Sequence, residues 1–428
     1  MALHKSDTKF LLLINNIAIY GGSTTIAQII MMVYVVVLAR ILGPEELGVF
    51  SSAYSLAGLS AFILNLGMDT WLLRKSGLYP DVTVLSGKVL KIKAGIGIGW
   101  SLALVVIVPQ IRPDLFSSAM MLICSVDVWS DVCFNTQIQA LNVQRRMTTI
   151  TWLVLLSRGG RFIGLVVLNF LGVTSAALFA LTRAAATLIG LLAATRMHKP
   201  KWNSKGLLTT HEVISESMPY GLSDFLSLIY TNADVTILAL MAGITAVGLY
   251  SPGSGIIHAL FVIPNAIFSV IVPIMTRLGA RDIGRFRGIL PFLFAGFFLL
   301  GAATWLVIGI SAKWLIPFLL GDQFQFTGSI LVILSPILFL KFISFACAVV
   351  LVCVGWQQRR LIFQFVAAVF NIAANIVIIP FYGMTGVAWV YVISELILVL
   401  GYVWVTIEWI RKGEFEAVAM TEAREDAA

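Results

Sequence analysis

The sequence predicts an all-α integral membrane protein with twelve transmembrane helices in two six-helix lobes, related by a pseudo-two-fold axis along the membrane normal. Three observations carry that reading. The 428 residues are 59% hydrophobic and only 12% charged, with a mean hydropathy of +0.96, whereas a soluble domain is about 25% charged. Apolar stretches recur at the length that crosses a bilayer, about 20 residues. The second half of the chain also repeats features of the first.

The predicted spans are 10–38, 48–68, 92–109, 115–141, 149–171, 173–195, 218–242, 245–274, 289–310, 327–353, 361–380 and 384–409. The first run, from Phe10 to Leu38, is far longer than the roughly 7–15 apolar residues of a signal sequence, so it is expected to stay in the mature protein. Short turns built on Gly or Pro separate the spans, as at Leu42-Gly43-Pro44-Glu45 and Tyr382-Gly383-Met384. One longer polar stretch, Arg196 to Ser217, divides two groups of six. The predicted layout is an N-terminal lobe 1–197, a basic cytoplasmic linker 198–217, a C-terminal lobe 218–412 and a cytoplasmic tail 413–428 expected to be disordered.

Lys and Arg mark the cytoplasmic ends of short loops. With the N-terminus inside, 22 of the 29 bases fall in inner segments, among them Arg74, Lys88, Lys91, Lys93, Arg145, Arg277, Arg359 and Arg411. Only Arg40, Arg112 and Lys313 fall outside, so both termini are expected in the cytoplasm. The formal charge of +8 does not point to nucleic acid, because the bases punctuate apolar runs instead of clustering on one soluble face. At an offset of 200, residues 38–55 align with 238–255 and set Gly48 over Gly248, while Phe170-Leu171-Gly172-Val173-Thr174 matches Phe381-Tyr382-Gly383-Met384-Thr385. Duplicated lobes of this kind are a transporter layout with a path between them.

Ionisable side chains at membrane depth cost about 2.5–3.5 kcal/mol each on insertion scales and are read as functional. Arg158 and Arg161 share one face of the fifth predicted span, roughly 14 and 18 Å deep at 1.5 Å per residue. Arg183 in the sixth and Lys341 in the tenth fall at similar depth. Four such cations suit a phosphate or pyrophosphate, since Arg offers a bidentate fork; pairing with the intramembrane acids is the competing reading. Those acids are Asp127 and Asp131, Asp224 and Asp234, and Glu395. Asp127, Asp131, Asn135, Gln139 and Asn142 form a polar stripe at helical spacing. Asp224, Ser227, Thr231 and Asp234 form a second, Asn16, Tyr20, Thr24 and Gln28 a third, and Ser51, Ser55, Asn65 and Asp69 a fourth. Such stripes line a hydrophilic cavity or hold helices together. Asp127, Asp131, Asp234, Glu395 and His258 are candidates for coupling to an ion or proton, although a lone His on an apolar helix also serves as a hydrogen-bonded structural residue. Asn371 and Asn375 carry the same ambiguity.

Several chemistries are excluded. The chain contains no GxxxxGK[ST] phosphate loop, so it carries no ATP site of that kind. Gly95, Gly97 and Gly99 lie inside an apolar span and read as helix packing. No His, Cys and Asp grouping has metal-ligand spacing, and no Ser, His and Asp set lies on a soluble face. Cys124, Cys133, Cys347 and Cys353 all sit in apolar stretches and read as buried small hydrophobes. Pro252, Pro264 and Pro273, with Gly253 and Gly255, are expected to interrupt the eighth span and permit bending.

The stretch LARILGPEELGVFSSAYSLAGLSAFILNLGMDTWLLR resembles the opening of the polysaccharide transport family of oligosaccharide flippases. Ala39, Arg40, Leu42, Gly43, Pro44, Gly48, Leu66, Gly67 and Arg74 fit its A-R-x-L-G-P-x-x-[FL]-G turn and the L-G-x-x-x-x-[LV]-x-R end of the second helix. Asn371, Pro380, Gly383 and Gly386 extend the likeness weakly. The superfamily also holds the multidrug and toxin extruders, which implies a MATE-like fold, and the peptidoglycan-precursor flippases, which usually carry two extra helices. The resemblance implies a flippase, not an enzyme, that turns a polyprenyl-pyrophosphate-linked oligosaccharide from the cytoplasmic to the periplasmic leaflet of a bacterial inner membrane, ahead of a polysaccharide polymerase. Its expected partners are that lipid-linked oligosaccharide and membrane lipids, with Na+ or H+ as coupling ion, no other cofactor and no nucleic acid. A cation-coupled multidrug extruder is the first alternative. A membrane-embedded glycosyltransferase or ligase is the second, disfavoured because the longest predicted outer loop, Ser311 to Phe326, is short.

Overall fold

The computed structural model describes residues 2–76, 81–202 and 209–412, with side chains for 26–76, 81–202, 209–222, 224–279, 281–356 and 359–411. Among the described residues every regular element is helical. The helices are α1 (Ala2–Ser60), α2 (Phe62–Asn65), α3 (Met68–Lys75), α4 (Val82–Ile111), α5 (Ser118–Val143), α6 (Met147–Phe170), α7 (Ala176–His198), α8 (Thr210–Ala242), α9 (Ile244–Leu260), α10 (Val262–Arg281), α11 (Ile283–Leu320), α12 (Gln325–Leu334), α13 (Pro336–Cys353) and α14 (Gln357–Lys412). The predicted stripe residues Asn16, Tyr20 and Thr24, part of the linker (203–208) and the tail 413–428 lie outside the described side chains or residues.

Nine helices are long and apolar enough to cross a membrane among the described residues, and the chain is a multi-pass membrane protein. Its outer surface agrees: Phe292 is 77% exposed, Ile310 75% and Trp152 72%, values a water-facing helix would not sustain. Polar caps start the helices where the apolar runs begin. Asp81 accepts from Thr83 N at 2.9 Å to open α4, and Ser117 accepts from Met120 N at 3.2 Å to open α5.

The chain forms two compact units, Met1–Phe225 and Leu226–Ala428. In the first, α5 packs on α4 and α7, α6 packs on α7, and α1 packs on α6. In the second, α11 packs on α12 and α13, and α13 packs on α10 and α14. The repeated segments seen in the sequence recur in the backbone. Gly43 breaks α1 with φ 70°, ψ 176°, and Gly243 opens α9 with φ 87°, ψ 179°. Gly172 and Gly383 in the other matched pair both have positive φ, 69° and 52°. A residue with a Cβ is strained in either setting, so the turn glycines of the repeat are fixed by backbone geometry.

The structure corrects several expected boundaries. The second predicted span, 48–68, is not continuous: the helix ends at Asn65, and Leu66 (φ 42°) and Gly67 (φ 76°) turn it before α3 begins. Gly67 meets α8 there, where a Cβ would lie 2.2 Å from Gly221 N. The third span begins ten residues early, because Asp81 caps it at Val82. Lys88, Lys91 and Lys93, assigned to an inner segment, therefore lie within α4, and Lys93 is fully buried. The predicted outer loop from Ser311 to Phe326 is mostly helix, since α11 runs to Leu320. The bend in the eighth span falls at Phe261, between α9 and α10. Pro264 explains its place: its ring and missing N–H oppose the carbonyl four residues back, that of Leu260. Pro252 and Gly253, expected to loosen the same span, sit buried within α9.

All four cysteines are buried and free, as the sequence indicated. Gly97 also packs as expected: a Cβ there would stand 2.3 Å from Trp129 Cδ1, whereas Gly95 and Gly99 face open space.

Candidate functional site

The first unit gathers its intramembrane charges at one place. Asp127 and Asp131 lie one turn apart on α5, Arg158 and Arg161 nearly one turn apart on α6, and Arg183 and Thr187 one turn apart on α7. These three helices pack together, so the three i, i+3 or i+4 pairs face a common centre. The N-terminus of α7 is held by Glu46 of α1, whose Oε2 accepts from Ala176 N at 2.8 Å.

Arg161 is the centre of the cluster and is 1% exposed. Its Nη2 lies 2.6 Å from Asp131 Oδ1 and 3.7 Å from Asp127 Oδ1, while Nη2 and Nε donate to Thr187 Oγ1 at 2.8 and 3.1 Å. Thr187 donates in turn to Asp127. Arg183 Nε donates to Asp127 Oδ2 at 2.8 Å, and its guanidinium stands 4.1 Å above the Tyr54 ring, within cation–π range. Arg158 is held loosely, 3.8 Å from Asp131 Oδ1.

The cluster is unbalanced, with three guanidiniums facing two carboxylates. Arg161 and Asp127 are sealed, but the side chains of Arg158 and Arg183 remain 26% and 22% exposed. Polar capacity is also left over inside: Arg161 Nη1 and the hydroxyls of Tyr34, Tyr54 and Ser157 are buried with no hydrogen-bond partner. Burying such groups unpaired costs about 1–3 kcal/mol each. The arrangement is therefore positive, underused in hydrogen bonds and open at two of its cations, which suits an anion with several acceptor oxygens.

The other expected site residues lie elsewhere. Asn135 is exposed beside Asp131, to whose Oδ2 it donates at 3.3 Å. Asp224 is exposed on α8. Lys341, Asp234, His258 and Glu395 belong to the second unit. There Lys341 Nζ is paired with Glu395 Oε2 at 3.0 Å and lies 5.1 and 5.0 Å from the ring centroids of Tyr230 and Phe261. Asp234 accepts from the Tyr250 hydroxyl and from Val235 N at 2.8 Å. His258 Nε2 lies 3.0 Å from Tyr391 Oη, a hydrogen bond within the helix packing. Asn375 Nδ2 donates to Asn371 Oδ1 at 3.1 Å, and Asn371 Nδ2 donates to Ser394 at 3.2 Å.

Sequence reasoning missed Thr187, which ties all three helices together, and two tyrosines beside the cluster, Tyr54 against the Arg183 guanidinium and Tyr34 with its buried hydroxyl. Thr187 had a usable signal, lying four residues after Arg183 on the same face. The tyrosines lie more than 100 residues away in the chain and had none. Lys93 was also missed, since it was counted with the inner-segment bases at the start of the third span. Among the described residues no group of three or more His, Cys, Asp or Glu is placed to hold a metal ion.

A helical chain whose surface is apolar and whose interior holds a charged cluster is, by fold, a multi-pass membrane protein. The lipid II flippase MurJ in an inward closed conformation is similar at a TM-score of 0.70 with 16% identity, covering 90% of this chain and 86% of that one. A multidrug resistance MATE family transporter of the MOP superfamily is similar in its outward-facing conformation (TM-score 0.61, 14% identity, 93% of this chain and 97% of that one). It is similar also in the inward-facing conformation (0.61, 12%, 91% and 93%). At these identities the likeness establishes the fold, which is MATE-like as expected. Residues 13–279, more than half of the chain, match the family described as polysaccharide biosynthesis protein, and the chain belongs to that family. No curated protein sequence matches it significantly.

Proposed function

We propose that the protein is a flippase that carries a polyprenyl-pyrophosphate-linked oligosaccharide from the cytoplasmic to the periplasmic leaflet of a bacterial inner membrane, for polymerisation into surface polysaccharide. The observation that carries this reading is the three-to-two excess of guanidinium over carboxylate in the first unit, with Arg158 and Arg183 partly exposed. A pyrophosphate would offset the excess positive charge and occupy donors that the acids leave unused. Family membership supports a role in polysaccharide biosynthesis, and the flippase fold supports moving a lipid-linked unit without hydrolysing nucleotide. Nine candidate spans, two of them broken at Gly43 and Gly383, together with the more polar α5, are compatible with twelve crossings. The excess of Lys and Arg on alternate loops supports a cytoplasmic position for both termini. Transport is driven by alternating access coupled to Na+ or H+.

The test is deletion and complementation. Loss of surface polysaccharide with accumulation of its lipid-linked unit is expected, with rescue cut about tenfold in Arg158→Ala or Arg183→Ala expressed at wild-type levels. Unchanged polysaccharide with altered sensitivity to cationic drugs would overturn the reading in favour of an extruder.

A further inference from the structure

The break between α2 and α3 builds a second buried polar site, separate from the arginine cluster. Because Leu66 and Gly67 are both left-handed, Asn65 and Asp69 reach the same point from opposite sides of the break. Three oxygens converge there on one atom, Lys93 Nζ: Asn65 Oδ1 at 2.8 Å, Asp69 Oδ1 at 2.8 Å and Thr136 Oγ1 at 2.7 Å. Thr136 donates its own proton to Asp69 Oδ1 at 2.7 Å, so its lone pairs face the ammonium. All three Lys93 protons are therefore committed, and the site has no donor to offer an anion. A carboxylate, an amide carbonyl and a hydroxyl meeting at a point form the donor set of a hard cation. Here the chain fills it with its own cation.

Two further observations indicate that this occupant can be exchanged. Lys93 is 0% exposed, but Asp69 keeps 16% of its side-chain surface, so the carboxylate has an outward edge. Asp224 on α8 is exposed and feels the negative charge of Asp69. Asp224 therefore adds negative charge beside the Asp69–Lys93 pair. Among the described residues, Cys133 on α5 lies within electrostatic reach of both Lys93 and Asp69, and Trp129 Nε1 donates to the Lys93 carbonyl at 3.2 Å. Neither adds a cation. Lys93 itself stands on a long flexible stem, which can withdraw its head without moving α4.

We propose that the Asn65, Asp69 and Thr136 oxygens form a monovalent-cation site in which Lys93 is the tethered occupant, displaced by Na+ from the aqueous phase. The site lies apart from Asp127, Asp131 and Asp234, and it does not depend on what the protein transports. The full chain, purified in detergent, provides the test in NaCl against choline chloride at equal ionic strength. Wild-type protein is labelled with a small amidinating reagent and read residue by residue by mass spectrometry. Na+ is expected to raise labelling of Lys93 several-fold while leaving the exposed Lys91 unchanged; no Na+ effect on Lys93 overturns the exchange. In the Lys93→Met variant, 100 mM Na+ is expected to raise the unfolding midpoint by about 5 °C where choline does not. Adding Asp69→Asn should abolish that rise. A folded Lys93→Met protein indifferent to Na+ would also overturn the proposal, and the wild-type labelling decides the matter if that variant does not fold.

Discussion

The two units each bury charge, and they do so with different stoichiometry. In the second, one ammonium meets one carboxylate: Lys341 and Glu395 are 8% and 0% exposed, and aromatic rings flank the cation. In the first, Arg158, Arg161 and Arg183 meet only Asp127 and Asp131, and two of the guanidiniums keep exposed surface. A balanced and sealed pair satisfies itself and contributes chiefly to holding its helices. An unbalanced and half-open cluster retains attraction for something else. The comparison therefore points to Arg158 and Arg183, more than Lys341, as the groups that meet an anionic substrate.

The largest effect should come from breaking each site at its sealed cation. Arg161→Met and Lys341→Met are each expected to cost about 3–5 kcal/mol, because each leaves buried carboxylate behind. The two should differ in rescue. Lys341→Met with Glu395→Gln should recover to within about 1 kcal/mol of the parent, whereas neither Asp127→Asn nor Asp131→Asn alone should rescue Arg161→Met, which serves both acids. Unfolding in detergent measures both cycles, and full rescue of Arg161→Met by one acid would collapse the distinction.

The glycine turns offer a second contrast. Gly67→Ala would place a Cβ 2.2 Å from Gly221 N and 2.5 Å from Ser217 O at a φ of +76°. A loss of about 3–4 kcal/mol is expected from strain and overpacking together. At Gly243, with φ +87° and no atom within 4 Å of the Cβ position, the same substitution should cost only the backbone term, about 1–2 kcal/mol. Equal losses would show that the first break is not pinned by α8.

Function should divide where stability does not. Arg158→Ala is held by one long contact, so its stability should fall by less than about 1 kcal/mol, while surface polysaccharide falls about tenfold through loss of a charge-assisted bond to the substrate. The neutral pair Lys341→Met with Glu395→Gln is expected to keep most of its activity, and an equal loss there would break the comparison.

The smallest effect lies at the surface. Lys201 and the Thr83 hydroxyl hold the Asp81 carboxyl down at about 2. A depressed acid stabilises the fold above its ordinary value near 4 and loses that contribution as pH falls towards 2. The ion pair is exposed at 62% and 37%, so screening leaves Asp81→Asn costing only about 0.5 kcal/mol at pH 7. The difference from wild type should vanish at pH 2, while the Asn still caps α4.

Much of this was legible in the sequence because a bilayer constrains residue types strongly. Apolar length located the spans, Gly43 and Gly383 marked the turns, and Asp127, Asp131, Arg158, Arg161 and Arg183 were identified as costly residues in need of partners. Which partners they take was not legible. Arg161 chooses Asp131 and Thr187 over other acids because α5, α6 and α7 pack side by side, and no spacing along one helix encodes that. Lys341 could not be told from the arginines until Glu395, 54 residues later, was seen to neutralise it.

Lys93 marks the boundary between the two kinds of information. Composition and periodicity by themselves determined that this chain spans a membrane many times, repeats a turn motif in each half and carries too many buried bases to ignore. Only the tertiary structure decided that Lys93 lies inside α4 and is held by three oxygens. Two of those come from a helix break that local pattern did not reveal and the third from a helix more than 40 residues away. The reason is physical: burial of a side chain is a property of the helices that surround it, and hydropathy measures only the chain that carries it.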